Sequence, residues 1–270
     1  MTSIEAAVLG VVQGVTEFLP ISSTAHLRIV PALLGWSDPG AAFSAVIQLG
    51  TLAAVLVFFR SDLLAMVRGA VAAVGDPSRR KDLHARLALY LVVGTIPVVV
   101  AGVLAKNAVR GGLRALSVIA AALIIVALAL AIVERVAKHR RSIEELILRD
   151  AVIIGCAQAL ALVPGVSRSG ITMLAAMAIG LRRDAAARFS FLLSIPAVAG
   201  AGIFELKHLL HGTDGAAPLA IGLVVSAVTG YASIAWLLRF LRTRTMTPFI
   251  VYRIALGLAI IGLLAAGKIH

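Results

Sequence analysis

Charged residues are scarce in this chain of 270 residues: they make up only 14% of it, against 60% for hydrophobic residues. An average soluble domain carries about 25% charged residues. The mean hydropathy of +1.01 also lies far outside the range of soluble domains. An ordinary soluble globular protein is therefore excluded, and lipid is the predicted surrounding of most of the chain.

Cysteine is nearly absent as well, since Cys156 is the only one, and an internal disulfide is excluded. Acidic residues are few: 13 Asp and Glu stand against 25 Lys and Arg, a formal charge of +12. The basic residues form short clusters between apolar runs, where they orient membrane segments, so nucleic-acid binding is not predicted. The N-terminus lacks a basic region and a small-residue cleavage site, so the first apolar segment is predicted to remain.

What the chain has in abundance is long apolar runs. Four of them contain no charged residue and are long enough to cross roughly 30 Å of hydrocarbon as helices. They are Ala41–Phe59, Leu87–Ala105, Ala115–Val133 and Ala216–Leu238. These runs predict membrane-spanning helices.

An internal repeat is visible in the order of a few distinctive residues. Three positions recur at an offset of 145 residues: Gly10, Gln13 and Ser22, then Gly155, Gln158 and Ser167. Phe43-Ser44 and Phe189-Ser190 follow at an offset of 146. We therefore predict one integral membrane domain made of two repeats, covering approximately residues 1–145 and 146–270.

Each predicted repeat begins with an apolar segment that is broken by proline and polar residues, at 4–34 around Pro20 and at 151–181 around Pro164. Each arm has about 14 residues, fewer than a crossing needs. Such a segment either enters and returns as a re-entrant hairpin or crosses once as a broken helix. Hairpins place most Lys and Arg of the loops on one side, in the clusters 60–86, 135–149, 182–188 and 239–244, so the positive-inside rule favours them.

The predicted fold is an all-α polytopic membrane protein with about six transmembrane helices and two re-entrant helical hairpins. Three crossings per repeat make the second repeat inverted relative to the first, so the hairpins meet near the midplane. Both chain ends are then exterior, and the first hairpin opens to the exterior. Irregular backbone at membrane depth is tolerated where it lines a cavity, so the loop tips are the predicted functional site.

Polar residues gather at these two tips. Gln13 and Glu17 share one helix face at i, i+4, and an ionisable group such as Glu17 within an apolar segment is a functional hypothesis by default. Ser22, Ser23 and Thr24 follow Pro20 and are placed to cap a half-helix, whose free N–H groups attract anions.

Two further side chains complete the predicted anion site. His26 is a candidate proton acceptor or nucleophile near neutral pH. Arg168 is a permanent cation suited to phosphate oxygens, or alternatively a structural partner of Glu17. The neighbours of Arg168 in the predicted substrate-binding loop are Ser167, Ser169 and Gly170.

The two motifs Gln13-Gly-Val-Thr-Glu17-Phe-Leu-Pro-Ile-Ser-Ser-Thr-Ala-His26 and Pro164-Gly-Val-Ser-Arg-Ser-Gly170 closely resemble the signatures of the undecaprenyl pyrophosphate phosphatases, or bacitracin-resistance proteins. The resemblance extends over nearly the whole chain. It implies a bacterial inner-membrane enzyme that hydrolyses C55 isoprenyl diphosphate at the outer face, recycling the carrier lipid of peptidoglycan synthesis.

The resemblance also implies residue roles. Gln13 and Glu17 would bind a divalent cation, Mg²⁺ or Ca²⁺, and Arg168 would hold the diphosphate. Ser23 is the preferred nucleophile, activated by His26, while phosphorylation of His26 or attack by metal-bound water remain alternatives. Ser22, Thr24, Ser167, Ser169 and Gly170 would contribute to substrate binding.

Two residues depart from the family pattern, because many members have Glu at the position of Gln13 and Gly at that of Ala25. The bilayer and the lipid substrate are the predicted partners, and a homodimer is a further possibility. The competing hypothesis is a secondary transporter or flippase of an anionic or lipid-phosphate substrate, since inverted repeats with broken helices are typical of transporters. Arg28 and Arg253 have no predicted role.

Overall fold

The computed structural model describes residues 1–105, 115–210 and 216–269, and within these ranges the regular structure is helical with no β-strand. The α-helices are α1 (Ser3–Phe18), α2 (Ser23–Leu34), α3 (Gly40–Phe58), α4 (Arg60–Gly75), α5 (Leu83–Leu104), α6 (Leu116–Val136), α7 (Leu148–Ala159), α8 (Arg168–Ala178), α9 (Arg183–Leu210), α10 (Ala216–Leu241) and α11 (Thr247–Ala265). Short 3₁₀ helices cover Pro77–Lys81, Ile143–Glu145 and Leu160–Leu162. The predicted all-α class is confirmed.

Helices α5, α6, α10 and α11 are each long and apolar enough to cross a membrane. Helices α3 and α4 pass the same test only as a pair that is bent by 75°. The described residues thus contain four such helices, or five with the bent pair, where the sequence predicted about six. Helix α9 carries the apolar run that begins at Phe189-Ser190, and the sixth predicted crossing stays a prediction.

Both apolar segments that were predicted to be broken are broken at the expected places. Helix α1 ends at Phe18 and α2 begins at Ser23, while α7 ends at Ala159 and α8 begins at Arg168. At 1.5 Å per residue the four arms are roughly 17 to 24 Å long, too short to cross the hydrocarbon core. The two arms of each segment pack against each other, as the arms of a hairpin must.

The helices of the two predicted repeats pack on one another in a reciprocal pattern. Helix α1 lies against α10, and α7 lies against α5; α3 lies against α9, and α6 against α11. The first two contacts depend on glycines at equivalent positions, because a Cβ atom at Gly10 would collide with the carbonyl of Gly222, and one at Gly155 with that of Gly94. This is the packing expected of two inverted repeats, and the inversion itself stays a prediction.

Candidate active site

The last two turns of α1 place an amide and a carboxylate side by side. Gln13 donates from Nε2 to Glu17 Oε2 at 2.9 Å, as the i, i+4 spacing predicts. Ser23, the first residue of α2, donates from Oγ to the same carboxylate oxygen at 2.6 Å. The side chain of Glu17 is only 8% exposed, and Gln13 is fully buried. A buried carboxylate therefore holds the hydroxyl of a serine that lies across the helix break.

Arg168, the first residue of α8, approaches the other oxygen of this carboxylate. Its Nη2 lies 3.4 Å from Glu17 Oε1 and donates to Gln48 Oε1 on α3 at 3.3 Å. Both contacts are longer than those of a tight charge-assisted hydrogen bond, and the side chain is 20% exposed. The guanidinium is thus anchored beside Glu17 and still has N–H groups for an anion.

Helices α2 and α8 begin in the same unusual way. Ser22 and Ser167 precede them with φ angles of +75° and +71°, values that a non-glycine residue rarely adopts. Each caps its helix, because Ser22 Oγ accepts from Ala25 N at 3.4 Å and Ser167 Oγ accepts from Gly170 N at 3.1 Å. Of the predicted capping hydroxyls, that of Ser22 is confirmed, and the cap formed by Ser167 was not predicted. Positive φ angles of this kind are typical of functional sites.

The two loop tips touch each other directly. Gly165 donates its N–H to Thr24 Oγ1 at 3.3 Å, and Ser169 Oγ lies 3.1 Å from the carbonyl oxygens of both Glu17 and Leu19. The N-terminal ends of α2 and α8 are therefore neighbours. Each end carries unpaired backbone N–H groups and the positive end of a helix dipole, which together favour a bound anion.

His26 is also at this site, but it does not contact Ser23 in the way the sequence suggested. Its Nδ1 lies 2.7 Å from the carbonyl oxygen of Ser22, which can only accept, so Nδ1 carries the proton. Nε2 then accepts from the hydroxyl of Tyr252 at 2.7 Å, and the two rings are parallel. Since Ser23 donates to Glu17, this geometry does not support activation of Ser23 by His26.

Arg253 on α11 is the residue whose importance the sequence did not reveal. It is fully buried, and its guanidinium donates to five backbone carbonyls at 3.0 to 3.3 Å. These carbonyls belong to Pro20 in the first loop, Gly165 and Val166 in the second, and Ala122 and Leu123 on α6. One cation therefore ties both loops to the scaffold. The one feature of the sequence that pointed to Arg253 was its position as a charged residue within an apolar run.

The other unassigned arginine, Arg28, has a simpler place, since it forms a 2.7 Å ion pair with Asp38.

The donor atoms at the end of α1 suit a hard divalent cation. Gln13 Oε1 is buried and accepts no hydrogen bond from the residues that the structure describes, while Nε2 of the same amide donates to the carboxylate of Glu17. Carboxylate and amide oxygens are the ligands that Mg²⁺ and Ca²⁺ prefer. No group of three or more His, Cys, Asp or Glu side chains occurs within the described ranges. An ion held here would need oxygens of substrate and water to complete its coordination shell.

A buried carboxylate bonded to a serine, a neighbouring arginine and two helix N-termini lie together here, an arrangement typical of anion-binding and phosphoryl-transfer sites. Residues 6–259 match the family of the bacitracin resistance protein BacA, and the chain belongs to this family. It is a multi-pass inner-membrane protein.

Curated relatives agree with this assignment. The chain is 52% identical to an undecaprenyl-diphosphatase of Myxococcus xanthus, a match that covers 100% of the chain and 91% of that protein. It is 48% identical to an undecaprenyl-diphosphatase of a Nocardioides species, with 98% of both chains covered. An undecaprenyl-diphosphatase of Gloeobacter violaceus is 52% identical over 97% of this chain and 92% of its own.

Proposed function

We propose that this protein is an undecaprenyl-diphosphatase, which hydrolyses the C55 isoprenyl diphosphate to the monophosphate and inorganic phosphate. The observation that carries the proposal is the carboxylate of Glu17, which accepts from the hydroxyl of Ser23 on one oxygen and lies beside Arg168 on the other. A hydroxyl, a base and an anion-binding cation in one place are what phosphoryl transfer requires.

Ser23 is the nucleophile in this mechanism, and Glu17 is its general base. As Oγ attacks the terminal phosphorus, its proton passes to the carboxylate, and the bond from that phosphorus to the bridging oxygen breaks. The lipid monophosphate leaves and takes the proton from Glu17. Water then attacks the phosphoserine while Glu17 accepts its proton, the P–Oγ bond breaks, and the returned proton regenerates Ser23.

Arg168 and the two helix N-termini hold the diphosphate and stabilise the charge on its oxygens during transfer. Ser22, Thr24, Ser167, Ser169 and Gly170 act through the backbone shape of this cradle, which their side chains and N–H groups maintain. His26 holds the carbonyl of Ser22 and so supports the first loop. In this proposal His26 positions the first loop and does not act as the base for Ser23.

A divalent cation, Mg²⁺ or Ca²⁺, is part of the proposal, and Gln13 and Glu17 are the residues that would hold it. When bound, such an ion neutralises phosphate oxygens and makes the phosphorus easier to attack. The unpartnered Oε1 of Gln13 supports this assignment.

The proposed orientation places the active site and both chain ends on the exterior side of the inner membrane. It follows from the basic clusters, which then lie in the cytoplasm. The lipid-exposed apolar side chains of the spans let the isoprenyl tail remain in the bilayer while the headgroup enters the site.

The test measures phosphate release from C55 isoprenyl diphosphate by the purified full-length protein, with and without EDTA. The wild type is expected to release phosphate in a metal-dependent manner and to form a labelled phosphoserine when the terminal phosphate is radioactive. Ser23→Ala should abolish both signals. Ser233→Ala is the matched control, because within the described structure this buried hydroxyl donates to Thr229 O of its own helix, away from the proposed site.

Three outcomes would redirect the proposal. Full activity of Ser23→Ala would show that the nucleophile is His26 or water and not Ser23. EDTA-resistant release would remove the cation from the mechanism. A folded wild type that binds the lipid without releasing phosphate would favour the transporter hypothesis.

A further inference from the structure

A second cationic region lies far from the candidate active site, at the end of the molecule where α3 and α10 end and α9 begins. It is a cleft of about 580 Å³. Its lining residues are Phe58, Phe59, Asp62, Arg188, Ala235, Leu238, Arg239 and Arg242. Three arginines and one carboxylate give the cleft a formal excess of two positive charges.

The charges in the cleft are distributed unequally. Asp62 is already neutralised by Arg188, which donates to it at 2.6 Å and lies over the ring of Phe59. Arg239 and Arg242 have no hydrogen-bond or ion-pair partner in the part of the chain that the structure describes, and both are exposed. Arg239 stands in the last turn of α10, Arg242 follows directly after the end of this helix at Leu241, and both line the cleft. Two uncompensated cations on one wall suit a phosphate group.

The remaining lining of the cleft is apolar. Ala235 and Leu238 line the cleft from α10, and Phe58 lines it from the end of α3. Trp236, on the same stretch of helix, is half exposed and stacks on Phe240. Tryptophan is enriched where lipid headgroups meet the hydrocarbon. The occupant therefore has both an anionic group and an apolar portion.

The cleft is separate from the proposed catalytic residues. Gly230 on α10 lies beside Phe18, which follows Glu17, and Arg239 comes nine residues later. At 1.5 Å per residue the two levels are roughly 13 Å apart along the helix axis. Phe18 and Phe191 are in edge-to-face contact within the apolar core.

We propose that this cleft, walled by Arg239 and Arg242, binds the phosphate headgroup of an anionic membrane phospholipid whose acyl chains lie along the apolar side of α10. The competing explanation is that these arginines only orient α10 by the positive-inside rule, which requires charge but no cleft. The two explanations predict different results. If the cleft is a binding site, lipid binding depends on Arg239 and Arg242 in particular and is tighter for a phosphate that is attached to a lipid.

The experiment measures binding of phosphatidylglycerol to the full-length protein in a neutral detergent, by retention of lipid in native mass spectrometry and by the shift of the thermal midpoint. Phosphatidylcholine, inorganic phosphate and glycerol phosphate are the comparison ligands. Arg239→Gln/Arg242→Gln is expected to weaken phosphatidylglycerol binding about fivefold or more. The phosphatase activity should stay within about twofold of the wild type, which shows that the variant is folded.

The matched control is Arg79→Gln/Arg80→Gln, which removes the same charge from the exposed 3₁₀ helix Pro77–Lys81 in another basic cluster. It should leave lipid binding nearly unchanged. Equal losses in the two double variants, or no loss in either, would overturn the proposal. Binding of phosphatidylcholine as tight as that of phosphatidylglycerol would overturn it too. Inorganic phosphate as good as the lipid would overturn the lipid as the occupant.

Discussion

The two loop tips share one backbone design and carry different chemistry. Both are capped by a serine with positive φ, and both helices begin at the following residue, which is Ser23 in the first half and Arg168 in the second. The proposed nucleophile and the proposed phosphate-binding cation thus occupy equivalent positions. The scaffold of the site is duplicated, whereas its chemistry is divided, so neither half holds a complete site.

The same division appears one helix earlier. Gln13 and Gln158 are equivalent, and both are fully buried. Gln13 is followed at i+4 by Glu17, to which it donates, while Gln158 is followed at i+4 by Leu162 and makes no hydrogen bond within the described structure. The proposed general base therefore belongs to the first half, because the second half has Leu162 at the equivalent position.

Removing the carboxylate of Glu17, which distinguishes the first half from the second, should have the largest effect on activity. Glu17→Gln keeps the size of the side chain but removes the base for Ser23, so kcat for phosphate release is expected to fall about 10²- to 10⁴-fold. The measurement is steady-state kinetics on C55 isoprenyl diphosphate. Glu5→Gln, the same change in the exposed capping box of α1, should leave kcat within about threefold. A Glu17→Gln enzyme with nearly full kcat would show that Ser23 has another base.

The next prediction concerns Arg253, whose hydrogen bonds connect the loops of the two halves. Arg253→Lys keeps the charge, but a single ammonium cannot bond to carbonyls of two loops and α6 at once. We expect kcat to fall about tenfold or more with a smaller change in KM, because a displacement of about 1 Å between catalytic groups is costly.

Arg28→Lys serves as the control for Arg253→Lys, since this arginine makes a partly exposed ion pair with Asp38. It should change kcat little. Should both variants lose activity equally, or should Arg253→Lys lose stability alone with an unchanged kcat, Arg253 would be a structural residue only.

Much of this site follows from local patterns in the sequence. The breaks around Pro20 and Pro164, the serine caps and the pairing of Gln13 with Glu17 all depend on residues within six positions of each other. Such features can be predicted because proline, hydroxyl groups and helical spacing act over short distances. The apolar runs that became α5, α6 and α10 were predictable for the same reason.

Contacts between distant segments could not be predicted. Tyr252 and Arg253 come more than 220 residues after the first loop, and no local pattern connects them with His26 or Pro20. The hydrogen bond from Ser23 to Glu17, which crosses the break between α1 and α2, was not predicted from the sequence either. The bend between α3 and α4 has no proline or glycine at Phe58-Phe59-Arg60 to indicate it.

Substitutions of the equivalent glutamines Gln13 and Gln158 should have effects of intermediate magnitude. Gln158→Met removes a buried amide that lacks partners and keeps its approximate length, so the free energy of unfolding should rise by about 1–3 kcal/mol with activity unchanged. Gln13→Met removes a donor to Glu17 and a proposed metal ligand, so activity should fall and more Mg²⁺ should be needed for half-maximal rate. The measurements are thermal unfolding and metal titration. Equal changes in stability and in metal requirement for the two variants would contradict the proposal that only the first half supplies the metal ligands.

The smallest expected effect concerns the strained caps. At Ser22, alanine loses the cap and keeps the unfavourable positive φ, whereas glycine loses the cap but adopts that φ freely. Ser22→Ala should therefore be less stable than Ser22→Gly by about 1 kcal/mol, as measured by thermal unfolding. The equivalent pair at Ser167 should show the same order. If glycine were the less stable variant at both positions, the positive φ would cost less than the extra backbone freedom of glycine in the unfolded chain, and these caps would not be strained.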